Sequence, residues 1–269
     1  MDMTDGYRAL RESAAWLDLS SRGRLVARGR DRARFLHNLT TNNVKAMKPG
    51  ETCYAFALTA QGRIVGDLWL ACRDEDFLID TEPELREKLR AHFTKYKVAD
   101  QVEFEDVTDT TVAIGVEGPQ AGTAPEGSLP LTETGQPGYR VYAPAERKAE
   151  IVAGLDAAGV TAATPEDARI VRIENGRPRY GEEIVETSLP QETQQMQAVS
   201  FNKGCYLGQE IVERIRARGH VNRLLRRVDL AGLVEPGTKL EVEGKEATVM
   251  SSVWSPGLEK FIGLAYVRQ

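Results

Sequence analysis

The chain has 269 residues, room for one or two domains of about 150 residues each. Hydrophobic residues at 41% and charged residues at 28% exclude a disordered, collagen-like or disulfide-framework chain. Thirty-five Lys and Arg against 40 Asp and Glu leave a net charge of −5, which argues against a protein that binds polyanions over its whole surface.

The first twenty residues are mixed polar and acidic and lack the apolar core of a signal peptide. The first element read is a short strand at 25–28. Phe35, Leu36 and Leu39 carry a helical spacing over 31–39. Residues 53–58 and 64–70 are rich in β-branched and aromatic side chains, with a hairpin turn at 59–62. A strand at 77–80 leads to Thr81, where Pro83 and Glu84 predict a capping box opening a helix through Leu85, Leu89 and Phe93. Strands follow at 102–107 and 111–116. Residues 121–137, rich in Gly, Pro, Thr and Ser, read as a loop.

Next come a strand at 139–142 and a helix over 145–158. A second helix opens at Thr164-Pro165 and stops near Gly176. Residues 187–197 are polar and aperiodic. A helix at 208–218 precedes strands at 223–230, 239–242, 247–254 and 261–267, so the last fifty or so residues read as an all-β unit. The whole is mixed α+β without a fixed-period repeat. No apolar run approaches the roughly 18 residues of a membrane span.

Three lone cysteines, Cys53, Cys72 and Cys205, fit a reducing compartment, and cytoplasmic residence without membrane association is expected. The histidines, His37, His92 and His220, are widely separated, and no metal site is read from them. No phosphate-binding, dinucleotide-binding or serine-hydrolase motif occurs. Two cationic segments stand out. Arg22, Arg24, Arg28, Arg30, Arg32 and Arg34 lie within thirteen residues beside one acid, Asp31. Lys203 and Arg214, Arg216, Arg218, Arg223, Arg226 and Arg227 lie near Glu210 and Glu213. Each is either an anion site, since guanidinium suits carboxylates and phosphates, or a charged face balanced by acids elsewhere.

The most unusual stretch runs Phe201-Asn202-Lys203-Gly204-Cys205-Tyr206-Leu207-Gly208-Gln209-Glu210. A cysteine near a helix N-terminus and a lysine is either a reactive thiol or a buried, inert one. Glu174, at the C-terminal end of its helix, is poorly placed for the helix dipole and calls for a partner, either an arginine or a heterocycle. Asp67 interrupts an apolar strand. It is either a site carboxylate or a residue facing water, and strand alternation alone favours water.

Lys-Gly-Cys-Tyr-x-Gly-Gln-Glu resembles the signature of the YgfZ-type folate-binding proteins, in the superfamily of the glycine-cleavage aminomethyltransferase, the T-protein. Further segments agree in order: 29–42, the hairpin Gln61-Gly62-Arg63-Ile64-Val65-Gly66-Asp67-Leu68, Arg172-Ile173-Glu174-Asn175-Gly176-Arg177-Pro178, Leu189-Pro190-Gln191-Glu192 and Arg218-Gly219-His220-Val221-Asn222-Arg223. The resemblance implies three domains around a central folate cavity, with a ferredoxin-like domain and a small C-terminal β-barrel. It divides the chain into interleaved core segments at 1–45 and 108–200, a hairpin and helix segment at 46–107, a signature loop and helix at 201–222, and a barrel at 223–269.

The resemblance further implies tetrahydrofolate, or a one-carbon derivative of it, as cofactor. Glu174 is expected on the pterin, with Asp67 and Arg63 lining the cavity. Gln209 and Arg223 are expected among the folate-binding residues, Arg223 toward the glutamate tail. Lys203, Cys205 and Gln209 form the signature loop, with Cys205, Lys203 and Asp67 as the catalytic candidates. The first functional reading is a protein that supports assembly or repair of iron–sulfur enzymes, whose partners are client enzymes or assembly proteins. The alternative is a folate-dependent aminomethyltransferase or demethylase, an enzyme of one-carbon transfer. A second alternative is an accessory protein that binds or modifies tRNA. Gly66 stands where T-proteins carry the first of two adjacent aspartates, a departure that bears on aminomethyl transfer.

Overall fold

A computed structural model describes residues 3–269. In chain order the elements are α1 (Asp5–Glu12), β1 (Ala15–Asp18), β2 (Gly23–Arg28), α2 (Arg32–Leu39), β3 (Thr52–Leu58), β4 (Ile64–Cys72), β5 (Phe77–Thr81), α3 (Arg86–Tyr96), β6 (Glu103–Asp106) and β7 (Thr111–Glu117). They continue with β8 (Gly138–Pro144), α4 (Lys148–Ala157), β9 (Thr161–Ala162), α5 (Pro165–Glu174), α6 (Gln209–Arg218), β10 (Arg223–Leu230), β11 (Lys239–Val242), β12 (Lys245–Ser255) and β13 (Lys260–Arg268). Two compact units share them. One comprises Met1–Ser20, Thr110–Glu183 and Arg223–Gln269; the other comprises Ser21–Asp109 and Ile184–Asn222.

The first unit holds two four-stranded sheets, ordered β8-β7-β1-β9 and β10-β13-β12-β11. Helix α5 joins them. Its Ala168 and Val171 pack with Tyr7, Leu10 and Leu17, while Ile173 packs with Leu225, Val253, Ile262, Leu264 and Tyr266. A capping box starts α5: the Thr164 side chain accepts from the Asp167 N–H, and the Asp167 carboxylate accepts from the Thr164 N–H. The Thr4 hydroxyl also donates to Asp167, at 2.5 Å, and accepts from the Tyr7 N–H at 3.1 Å, which ties the starts of α1 and α5 together. The C-terminal strands form one antiparallel ladder with β10 and β11 at its edges, and a bulge between Val249 and Ser251 bends β12. The expected barrel is thus an open sheet in the described residues.

The second unit is built on a five-stranded sheet, β3-β4-β5-β2-β6, antiparallel throughout. Its core includes Leu25, Phe56, Leu68, Leu70, Ile79, Leu89 and Phe93. Phe93 stacks on Phe104 with centroids 5.2 Å apart. The capping box expected at Thr81 does not form. Thr81 is the last residue of β5, and its hydroxyl donates instead to the Asp67 carbonyl at 2.7 Å. The chain makes a 3-10 turn at Pro83–Leu85 before α3 begins. Among the described residues, no helix is long and apolar enough to cross a membrane.

Candidate functional site

In the second unit, Asp67 sits in the middle of β4, in register with Phe56 of β3. It is only 6% exposed, contrary to the expectation from strand alternation. β4 is covered on both faces, so alternation has no wet side to report. The Tyr54 hydroxyl donates to Asp67 Oδ2 at 2.6 Å, which fixes the carboxylate. The neighbouring Gly66 faces Leu85 and Leu89: a β-carbon there would lie 2.9 Å from Leu85 Cδ1. The space that a second aspartate would occupy is filled by these leucines. Arg63 is exposed at the start of the strand, and its guanidinium donates to the Thr187 carbonyl.

The signature loop belongs to the same unit. Lys203 Nζ donates to the carbonyls of His37, Thr40 and Asn42, at 2.5, 2.6 and 2.7 Å. It also lies 4.9 Å from the Tyr206 ring centroid. Burial pulls the Lys203 amine down to about 7. Three carbonyl acceptors and the negative end of α2 favour the ammonium, which is the form that the geometry fits. The Leu207 N–H donates to the Asn38 carbonyl at 2.9 Å. Gln209 Oε1 accepts from the Tyr206 N–H at 3.1 Å, closing the turn at the head of α6. Gly208 is left-handed at φ +82, and a β-carbon there would lie 2.5 Å from the Thr59 carbonyl, so the turn requires glycine.

Cys205 is exposed, which removes the buried-thiol alternative for this residue. Cys72 is buried, and burial pushes its thiol up. Burial likewise pushes the Cys53 thiol up to about 12. His37 is buried beside the loop and lowered by that burial and by Lys203.

In the first unit, Glu174 ends α5 and is 6% exposed. Of the partners expected for it, an arginine is present, Arg11, together with two hydroxyl donors. Tyr7 Oη donates to Oε1 at 2.6 Å, and Ser255 Oγ donates to the same oxygen at 2.5 Å. Both hydroxyls are themselves held by the turn after β12: Gly257 N–H donates to Tyr7 Oη at 3.0 Å, and Leu258 N–H donates to Ser255 Oγ at 3.1 Å. Arg227 donates to the Glu174 carbonyl at 2.5 Å. Burial and the adjacent carboxylate push Tyr7 up to about 12, so it stays a donor at neutral pH. Glu174 Oε2 is buried and takes no hydrogen bond; the Arg11 guanidinium lies 3.5 Å from it.

Arg223, in the same unit, stacks 4.3 Å over the Tyr266 ring. Asp67, Arg63, Lys203, Cys205 and Gln209 thus fall in one unit, and Glu174 and Arg223 in the other. Tyr7, Arg11 and Ser255 escaped the sequence reading. The usable signal was an eight-residue helix starting after Thr4, which turns Tyr7 and Leu10 inward.

The cationic segments are paired with acids in part and with backbone carbonyls in part. Arg22 bonds Asp80 and Glu82, and the fully buried Arg24 donates to the carbonyls of Arg22 and Thr108. Arg34 pairs with Asp100, Arg214 with Glu210, Arg216 with Glu213 and Arg226 with Glu243. The acid-balanced reading describes Arg22, Arg34, Arg214, Arg216 and Arg226, while Lys203 and Arg227 bond carbonyls. No group of three or more His, Cys, Asp or Glu side chains converges on one point among the described residues.

With this geometry in hand, the likeness to known proteins is informative. The backbone matches that of a glycine cleavage system aminomethyltransferase T from Bartonella henselae with a TM-score of 0.87, over 98% of this chain and 80% of that one, at 17% identity. The fold is therefore that of a glycine-cleavage T-protein. A model of the GCVT N-terminal domain matches residues 2–124. The chain is also similar to the aminomethyltransferases of Rubrobacter xylanophilus and Geobacillus kaustophilus, 29% identical in each case. Both likenesses cover 97% of this chain, and 78% and 81% of those proteins. Together these likenesses support the T-protein superfamily.

Proposed function

We propose that the protein binds tetrahydrofolate and handles its one-carbon unit in the manner of an aminomethyltransferase. The observation that carries this is the state of Glu174. One carboxylate oxygen is saturated by two hydroxyl donors, while the other is buried without a hydrogen bond. With Oε1 taken by two hydroxyls, Oε2, which faces the Arg11 guanidinium at 3.5 Å, is the oxygen left to accept from an N–H on a pterin edge. The likeness to proteins named aminomethyltransferase points the same way. The three-domain folate-binding arrangement belongs to this proposal.

When bound, tetrahydrofolate supplies the nitrogen that accepts the one-carbon unit. Asp67 is the group proposed to orient the reacting amine or hold its proton. Its anchoring by Tyr54 suits that task, because a positioned carboxylate loses no freedom on binding. Arg63 and Gln209, in the same unit as Asp67, are proposed among the folate-binding residues, and Arg223 is proposed to receive the glutamate tail. The chemistry is tested by incubating the protein with tetrahydrofolate and an aminomethyl-lipoyl carrier, which already holds its carbon at the oxidation level of the methylene product and releases ammonia and the lipoyl thiol. Methylenetetrahydrofolate is expected from wild type and not from Asp67→Asn. Absence of product from wild type, with an active T-protein as control, overturns aminomethyl transfer and leaves folate binding to be judged separately.

A second reading is favoured by a different observation, the exposed Cys205 in the YgfZ-like signature. Here the folate protein supports assembly or repair of iron–sulfur enzymes, with Cys205 reducing a client or transiently ligating iron. Restoration of iron–sulfur enzyme activity in a null strain by Cys205→Ser as well as by wild type removes this role. The tRNA reading rests on the two cationic segments, which are paired with acids only in part. Binding to tRNA that falls steeply with salt would support it.

A further inference from the structure

We infer that Lys203 is a positioning residue rather than an acid, a base or an activator of the thiol: its ammonium locks the Cys205 turn onto the C-terminal end of α2. This inference does not depend on folate binding. A lysine ammonium has three N–H donors, and three carbonyl oxygens receive them at 2.5, 2.6 and 2.7 Å. No donor is left over for a substrate or a thiolate. The acceptors are the carbonyls of His37, Thr40 and Asn42, at and just beyond the end of α2, where helix carbonyls lack intrahelical partners and the dipole is negative.

A second tie lies on the other side of the cysteine, from the Leu207 N–H to the Asn38 carbonyl at 2.9 Å. Only three residues separate the two anchors. Tyr206 is buried under the lysine, Gly204 has no side chain, and Cys205 projects outward. Pinning the turn at both ends presents this thiol at a fixed point on the surface.

The competing account is that the lysine charge lowers the thiol pKa. Lys203→Arg separates the two. It keeps the charge, but a planar guanidinium fork cannot converge on three carbonyls around one point. Two readouts are taken on the full chain: amide hydrogen exchange at Leu207, and the pH profile of Cys205 alkylation by iodoacetamide followed by peptide mass spectrometry. A positioning role predicts that Lys203→Arg and Lys203→Met both speed Leu207 exchange by about tenfold or more, with the pH midpoint of Cys205 alkylation unchanged. Wild-type exchange in Lys203→Arg, or an alkylation midpoint raised by about one unit in Lys203→Met only, overturns it. Should both variants fail to fold, the wild-type protein decides. Slowly exchanging ammonium protons on Lys203 in its NMR spectrum are expected, and rapid exchange with water contradicts the lock.

Discussion

Two buried glutamates in the first unit differ in how their oxygens are held: Glu117 is hydrogen-bonded through both, and Glu174 through one, with an arginine beside the other. Glu117 ends β7 and is fully buried. Its Oε1 accepts from the Glu133 N–H at 2.5 Å, and its Oε2 accepts from the Thr134 N–H and hydroxyl at 2.8 and 2.6 Å. Both oxygens are used, and they pin the end of the 121–137 loop to the sheet. Glu174 is almost as buried, yet both of its hydroxyl donors converge on Oε1 and none reaches Oε2. Oε2 instead faces the Arg11 guanidinium at 3.5 Å, an ion pair without a hydrogen bond, so this oxygen keeps the capacity to accept from an N–H.

The comparison can be broken at either glutamate. The largest effect is expected at Glu117. Glu117→Gln turns an amide NH2 toward an N–H donor, and urea unfolding should show a loss of about 2–3 kcal/mol, with folate affinity of the folded fraction unchanged. Glu174→Gln should do the opposite. Its amide oxygen keeps the Tyr7 and Ser255 bonds and only the ion pair with the part-exposed Arg11 is lost, so stability should fall by no more than about 1 kcal/mol, while tetrahydrofolate affinity falls roughly 10- to 100-fold for a lost charge-assisted pair. Tyr7→Phe is intermediate. It removes one donor to Oε1 and strands the Gly257 N–H, so a loss of about 1–2 kcal/mol in thermal or urea unfolding is expected, with a smaller loss of affinity than in Glu174→Gln.

The smallest effect is a pH slope. Burial holds the Glu117 carboxyl above its ordinary 4.5. A folded-state pKa above the unfolded one means that the native state binds the proton more tightly. This group's contribution to stability is then present below about pH 4.5 and lost as the pH rises through the folded value. Unfolding measured from pH 4 to 7 should show that slope in wild type and lack it in Glu117→Gln. A wild-type slope of the opposite sign would mean that the three hydrogen bonds outweigh the burial.

The sequence anticipated those parts of the structure whose signals are local. The strands Arg223–Leu230 and Lys239–Val242 fall where turn residues and alternation put them. The start at Thr164-Pro165 is followed by a capping box because Asp167 stands at the third position. Thr81 and Glu84 carry the equivalent pattern, a threonine with an acid three residues on, without the box, because pairing with β4 and β2 holds Thr81 in a strand. Asp67 was misjudged by alternation because β4 is buried on both faces.

Longer-range polar contacts left no local trace. Tyr7 and Glu174 lie 167 positions apart, and only the fold brings the hydroxyl to the carboxylate. Lys203 and Cys205 were legible as an unusual loop. That the lysine's donors all go to backbone carbonyls was not, since backbone acceptors have no letter in a sequence.

The central claim, that Glu174 is kept for a pterin, is tested most directly by calorimetric titration of tetrahydrofolate and 5-formyltetrahydrofolate into wild type and Glu174→Gln at matched stability. The account predicts saturable binding to wild type and at least about tenfold weaker binding to the variant. Equal binding by both, or no binding by wild type, would contradict it.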